Sequence, residues 1–347
     1  MKRHSSVCFL LLAAAGVSAS STFANLLYID PLYGVQVTSN VVYGTGLVNN
    51  GQTKNLLADI YQPVDIGLPV QNNRPAIVIQ DGGAWTSAKK TRPRVTTPAY
   101  YLAARGYTVI VTDYRQGAPS IPFVVEGGPD APVTTGQTIF GSAPWAGLTT
   151  SGHTYNVYPG MNPIRAGIED FALAIHWTRT NAAMLGIDPD RIGVAGGSAG
   201  GIDALLLQYN MNPVDPRYEA QAVVALVATM MNNYNRIQPG GPPVFLLNNT
   251  LDAVVPWSPQ MSQRFVDVGI YREQWFQPPD LLYHDVDWNL DLGGLTLLER
   301  VRDFLAYQLA GGPVYIPEVS SVAMMLGAVA VLGLAPLGRR LRKQVGA

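Results

Sequence analysis

The sequence predicts an α/β protein with a mostly parallel central sheet and helices on both faces. Two kinds of segment carry that expectation. Short, nearly continuous apolar runs such as Pro75–Gln80 (PAIVIQ) and Tyr107–Tyr114 (YTVIVTDY) suit strands covered on both faces. Segments of helical length stand between such runs, and strand alternating with helix at this spacing is the pattern of crossover units in a parallel sheet.

The elements follow in order. After a polar, glycine-containing approach from Asn25 to Asn55, LLADIYQP reads as a strand closed by Pro63. The strand at Pro75–Gln80 comes next, then a helix in TPAYYLAARG that stops at Gly106, then the strand at Tyr107–Tyr114. The rhythm continues with a helix near Ile164–Met184, the strand RIGVAG, and a helix from Ala199 to about Met211. Strands AVVALVA and PVFLLNN, a helix near Pro259–Val268, the strand YREQWF and a last helix around Leu295–Leu309 complete one catalytic domain over 25–313.

Gln116–Pro163 breaks the rhythm. It is rich in Gly, Pro and Thr and too long for an ordinary connection, so it reads as a functional insertion or lid at about 116–163. Its Phe140, Trp145, Tyr155 and Tyr158 either line a substrate cleft or pin a long loop to the surface, and both readings stand.

The chemistry centres on Gly196-Gly197-Ser198-Ala199-Gly200, a Gly-x-Ser-x-Gly run that follows one expected strand and opens the next helix. Small residues are needed there because a serine at a tight strand-to-helix turn brings two backbones close together. A hydroxyl nucleophile needs a base, usually histidine, oriented by a carboxylate. Beyond the first residues the chain offers His153, His176 and His284. His176 lies mid-helix and reads as structural, and His153 sits in the insertion. His284 follows the last strand and precedes the final helix, and Asp252 follows an apolar strand in a loop that can overhang the sheet edge. Asp280, Asp285, Asp287 and Asp291 are the weaker carboxylates. For a developing oxyanion, Gly82 and Gly83 after the Pro75–Gln80 strand would turn backbone N–H groups toward Ser198, and Ala199 would add another. No metal-ligand spacing is present and no cofactor is expected.

These stretches together resemble the esterase/lipase branch of the α/β-hydrolase superfamily, near the hormone-sensitive-lipase-like and related carboxylesterases. The resemblance runs from Leu56 to Leu309 and includes RGYTVIVTDYR, AGIEDFALAIHWTRTNAAMLGIDPDRIGVAGGSAGG and LDAVVP. It implies Ser198 as nucleophile, Asp252 as acid partner and His284 as base. The family's His-Gly-Gly-Gly loop falls on Asp81, Gly82, Gly83 and Ala84, which assigns oxyanion donors to Gly83 and Ala84 with Ala199 as the third. Asp81 and Ala84 depart from that pattern, and Asp170 matches an aspartate with a structural role. The implied activity is hydrolysis of carboxylic esters. A polymer-directed esterase or depolymerase, or a noncatalytic surface binding protein on a degenerate hydrolase fold, are the alternatives.

The two ends carry separate expectations. Residues 1–24 have a basic start, an apolar stretch from Val7 to Val17 and small residues before Ala24, the pattern of a secretory signal peptide cut by signal peptidase. The single cysteine, Cys8, lies in this leader. Residues 314–347 give an apolar run over 322–337 and a basic stop at Arg339, Arg340, Arg342 and Lys343. This tail resembles the PEP-CTERM sorting signal of Gram-negative bacteria, with Pro317, Glu318 and Val319 in place of Pro-Glu-Pro. The resemblance implies a transmembrane helix, transient inner-membrane anchoring, exosortase processing and release at the cell surface. Without the basic ends the domain is acidic, which excludes a nucleic-acid partner.

Overall fold

Eight strands hydrogen-bond into one sheet: β1 (Gly34–Leu47), β2 (Thr53–Val64), β3 (Arg74–Gln80), β4 (Thr108–Thr112), β5 (Ile187–Gly197), β6 (Ala222–Leu226), β7 (Val244–Asn248) and β8 (Arg272–Phe276). In space they run β8-β7-β6-β5-β3-β4-β2-β1. The pairs β1–β2 and β2–β4 are antiparallel and the others parallel. The computed structural model describes residues 25–48, 51–120, 124–126, 149–150, 153–154, 163–210, 215–231, 233–278, 284–312 and 314–316. The elements discussed here belong to the compact unit Leu26–Tyr315.

The apolar runs became strands for the expected reason. Every residue of β3, β4, β6 and β7 is buried, because parallel strands covered by crossover helices have no solvent face. The helices are α1 (Pro93–Ala103), α2 (Pro163–Thr180), α3 (Ala199–Leu205), α4 (Pro259–Asp267) and α5 (Leu297–Ala310). On α2, Ile168, Phe171, Ala172 and Ile175 recur at helical spacing and enter one core with Val78, Val194 and Phe265. The alternate residues of the strands face the other way. Ile79, Ala195 and Leu226 meet Leu102 of α1 and Val301 and Leu305 of α5 around a cavity.

Three differences from the sequence reading have clear causes. β1 lies in the stretch read as an irregular approach, since as an edge strand it buries little and shows no clean alternation. Two register shifts also interrupt its pairing with β2. α1 starts at Pro93 rather than near Thr97, with Pro98 inside it. The helix expected near Ile164–Met184 ends at Thr180; a separate turn at Ala182–Leu185 follows and closes on Gly186, whose φ of 65° suits glycine.

Within the insertion, Ala118–Ser120 pairs with Val124–Glu126 and Thr149–Thr150 with His153–Thr154. Phe140, Trp145, Tyr155 and Tyr158 lie outside the described residues, as do 1–24 and 317–347.

The expected transmembrane helix is corrected. Among the described residues no helix is long and apolar enough to cross a membrane. The longest, α2, has 18 residues and carries Arg165, Glu169, Asp170 and Arg179, as a helix covering a sheet does. Transient membrane anchoring, exosortase and signal-peptidase processing, and an exported or cell-surface location are therefore not retained for this chain.

Candidate active site

The parallel strands end together, and that alignment builds the site. Gly196 pairs with Gln80 of β3 and Ala225 of β6, and Gly197 with Leu226. Ser198 follows at once, with φ 53° and ψ −122°, a conformation that costs a non-glycine residue energy and is held by its surroundings. Its N–H donates to the Leu226 carbonyl at 2.9 Å, and its carbonyl accepts from Ile202 N–H at 2.8 Å in the first turn of α3.

The neighbouring glycines are required by space. A Cβ on Gly196 would stand 2.3 Å from the Gly200 backbone, and one on Gly200 would stand 2.2 Å from the Gln80 carbonyl oxygen. One on Gly82 would meet the Gly197 carbonyl at 2.6 Å and the Ser198 Cβ at 3.0 Å. Real Cβ atoms do not make such contacts with backbone, so the sharp turn exists only with these residues.

Ser198, His284 and Asp252 come together from three loops at the carboxyl ends of the strands. His284 Nε2 lies 2.6 Å from Ser198 Oγ, and His284 Nδ1 lies 2.6 Å from Asp252 Oδ2. The Asp252 side chain is fully buried, and its other oxygen accepts the N–H groups of Val254 and Val255 at 2.8 Å each. Those bonds leave Oδ2 aimed at the imidazole. A hydroxyl, an imidazole and a carboxylate in line can pass a proton from serine to histidine while the carboxylate holds the ring tautomer.

The other candidates are placed elsewhere. His176 is in α2, edge-on to the Tyr218 ring at 6.0 Å. Asp285, Asp287 and Asp291 are exposed, and each accepts a nearby backbone N–H: from Val286, Asn289 and Gly294. Only the backbone of His153 is described, and Asp280 lies outside the described residues. Asp170 is buried against Arg115, which donates to it through the backbone and the guanidinium. Among the described residues no group of three or more His, Cys, Asp or Glu could hold a metal ion.

The turn after β3 is held from two sides. Gly83, Ala84 and Trp85 all have positive φ, at 127°, 50° and 57°. Trp85 Nε1 donates to Asp203 of α3 at 2.9 Å, and Gln80 Nε2 donates to the same carboxylate at 2.7 Å. Asp81, wholly buried, pairs with Arg94 and Arg92 and accepts the Lys89 N–H. Gly82 lines the cavity with Ser198, while Gly83 packs toward Ser87. Ala199 is buried at the first turn of α3.

Sequence reasoning missed four contributors: Asp81 as an anchor, Arg94, Asp203 and Trp288. For Trp288 a signal existed. Pro98 has no N–H, so the Arg94 carbonyl four residues back has no helical donor. The Trp288 indole N–H fills that place at 2.9 Å and ties the loop carrying His284 to the start of α1. Beside Ser198 these elements enclose a narrow cavity of about 30 Å³, lined largely by apolar side chains including Val95, Pro98, Leu102 and Val286.

Known proteins resemble parts of this sequence and its fold. A family model described as BD-FAE matches residues 155–227, the stretch containing β5, Ser198 and α3. Carboxylesterase NlhH of Mycobacterium tuberculosis, from strains CDC 1551 / Oshkosh and ATCC 25618 / H37Rv, is 54% identical over 155 residues, covering 44% of this chain and 34% of the relative. The match thus spans about a third of the length of these curated relatives. Among solved structures, the apo form of Thermogutta terrifontis esterase 2 and its paraoxon-phosphorylated form each superpose with a TM-score of 0.51 at 20% identity, covering 83% of this chain and 97% of theirs. The chain has the α/β-hydrolase fold. In that fold, the Ser198 turn, the loop after β7 and the loop after β8 share the carboxyl edge of the sheet, where open α/β sheets place their sites.

Proposed function

We propose that this chain is a serine hydrolase of carboxylic esters, with Ser198 as nucleophile, His284 as general base and Asp252 as its orienting carboxylate. The observation that carries the reading is the unbroken line from Asp252 through His284 to Ser198, with both contacts at 2.6 Å, on a strained turn. A histidine turned away from the serine would have favoured a noncatalytic binding protein, and the observed contact counts against that alternative. The local likeness to carboxylesterase NlhH, over the segment that it covers, points the same way.

In the reaction, His284 Nε2 takes the Ser198 proton as Oγ attacks the ester carbonyl. Backbone N–H groups of Gly83, Ala84 and Ala199 are the assigned donors to the oxyanion; donors held in place before the reaction lower its barrier without reorganisation. Protonated His284 then gives its proton to the departing alcohol. Water, deprotonated by the same ring, releases the acid from the acyl-enzyme and restores Ser198.

The test is hydrolysis of a p-nitrophenyl ester chain-length series by the full chain beside Ser198→Ala and His284→Ala. Each variant is expected to lose about 10³-fold or more in kcat. Paraoxon should phosphorylate the wild-type chain at Ser198 and leave Ser198→Ala unmodified, read by mass spectrometry. A folded wild-type chain no faster than Ser198→Ala on every ester would overturn the proposal.

A further inference from the structure

Gly197, the residue before the nucleophile, is a glycine that the sharp turn does not require. A Cβ on Gly82, Gly196, Gly200 or Gly201 would run into backbone. Gly197 differs: its φ is not positive, and among the described residues a Cβ there would meet only Val286 Cγ2 at 3.2 Å and the Leu226 carbonyl oxygen at 3.8 Å. Alanine at such a position loses less conformational freedom on folding than glycine does, so the fold alone gains nothing from Gly197. The missing side chain instead leaves space beside Ser198. Gly197 and Ala195 stand two apart on β5 and share a face, and both line the cavity that Ser198 and Val286 border. Its inner end is closed by Leu102 of α1 and Leu305 of α5, both buried.

We propose that Gly197 is a specificity-determining position: the space left by its absent side chain receives the acyl tail of the ester and limits the acid to acetyl or propionyl. This rests on the hydrolase reading above and names its substrate class. Three features select that class. The cavity measures about 30 Å³, room for about two water-sized groups beyond the carbonyl carbon. Its wall is largely apolar, with Val95, Leu102 and Val286, so a polar or charged tail would be buried there without partners. Its inner end is closed, and that decides which half of the ester enters. The alcohol leaves first and water must then reach the acyl-enzyme, so an alcohol in a dead end would have to leave past the acyl group. An acyl tail lodged there leaves the outer side of Ser198 open to both.

The experiment uses the full chain and two sets of esters. Propyl acetate and methyl butyrate contain the same atoms and differ in which half carries the longer tail. With wild type, kcat/KM is expected to be about tenfold higher for propyl acetate, since one methylene too many in an apolar pocket costs tenfold or more. Equal rates, or methyl butyrate as the better substrate, would overturn the acyl assignment without any variant. In the p-nitrophenyl series of acetate, propionate and butyrate, Gly197→Ala places a methyl in the space and should lower the propionate-to-acetate ratio of kcat/KM about tenfold. Leu102→Ala lengthens the cavity and should raise the butyrate-to-acetate ratio by a similar factor. The same fractional change on all three esters in either folded variant would overturn the proposal.

Binding to Ser198→Ala, followed by ligand-observed NMR, separates this proposal from the hydrolytic one. Tighter binding of methyl propionate than methyl pentanoate, lost when Gly197→Ala is added, supports the subsite even if the wild type hydrolyses no ester. Equal binding of the two esters, binding of neither, or binding that survives Gly197→Ala overturns it.

Discussion

Asp203 is a carboxylate buried completely in the first turns of α3, five residues beyond Ser198, and it receives N–H donors from Trp85 and Gln80. Burial pushes its pKa well above the usual carboxylate range, against the lowering effect of those donors. A pKa raised in the folded state means that folding stabilises the protonated form. That contribution is fully present below the unfolded carboxylate value near pH 4 and is lost as pH rises toward the folded value. Asp203→Asn keeps the shape and removes the titration. Urea unfolding at pH 5 and pH 8 should therefore show the wild type losing stability relative to Asp203→Asn as pH rises. A constant difference between the two proteins would mean that Asp203 does not titrate over this window.

At the scale of elements, the site depends on α1 meeting the loop after β8, and among the described residues the Trp288 indole ties the two by a hydrogen bond. Trp288→Phe keeps the ring and leaves the Arg94 carbonyl without its donor. Stability should fall by about 1 kcal/mol, and kcat/KM for a short p-nitrophenyl ester by about three- to tenfold as His284 loses part of its support. Thermal unfolding and steady-state kinetics on the same preparation check both. An unchanged kcat/KM would show that the histidine loop is held by other contacts. The same junction shows what could be read in advance. The buried strands and the Ser198 turn were legible because apolar runs and Gly-x-Ser-x-Gly are local patterns, and Ser198, Asp252 and His284 do come within hydrogen-bonding distance. β1 was not legible, because an exposed edge strand has little apolar periodicity. Asp203, Trp288 and the Asp81–Arg94 pair were missed because their partners lie 118, 194 and 13 residues away in sequence, at distances fixed only by the fold.

For the molecule as a whole, Arg115 joins parts that the sheet alone would leave separate. It stands at 2% side-chain exposure just before the insertion. Its guanidinium donates to Asp170 and Glu169 of α2 and to the Leu47 carbonyl at the end of β1. The edge hairpin, the root of the insertion and the helix beneath them are thus fastened by one cation. Two buried carboxylates near one guanidinium make a favourable set only while it is complete, because each charge has lost its water. Asp170→Ala should accordingly cost about 3–5 kcal/mol, since Arg115 is then left with part of its hydrogen-bonding fork empty. Paired apolar replacement at Arg115 and Asp170 should cost less than the sum of the single changes, giving a coupling energy of about 1–3 kcal/mol in a double-mutant cycle by urea unfolding. Additive losses would mean that Glu169 and the Leu47 carbonyl satisfy Arg115 without Asp170. The same variants, assayed on short esters, separate fold from chemistry: neither residue lines the cavity beside Ser198, so activity per folded molecule should stay within about twofold of wild type.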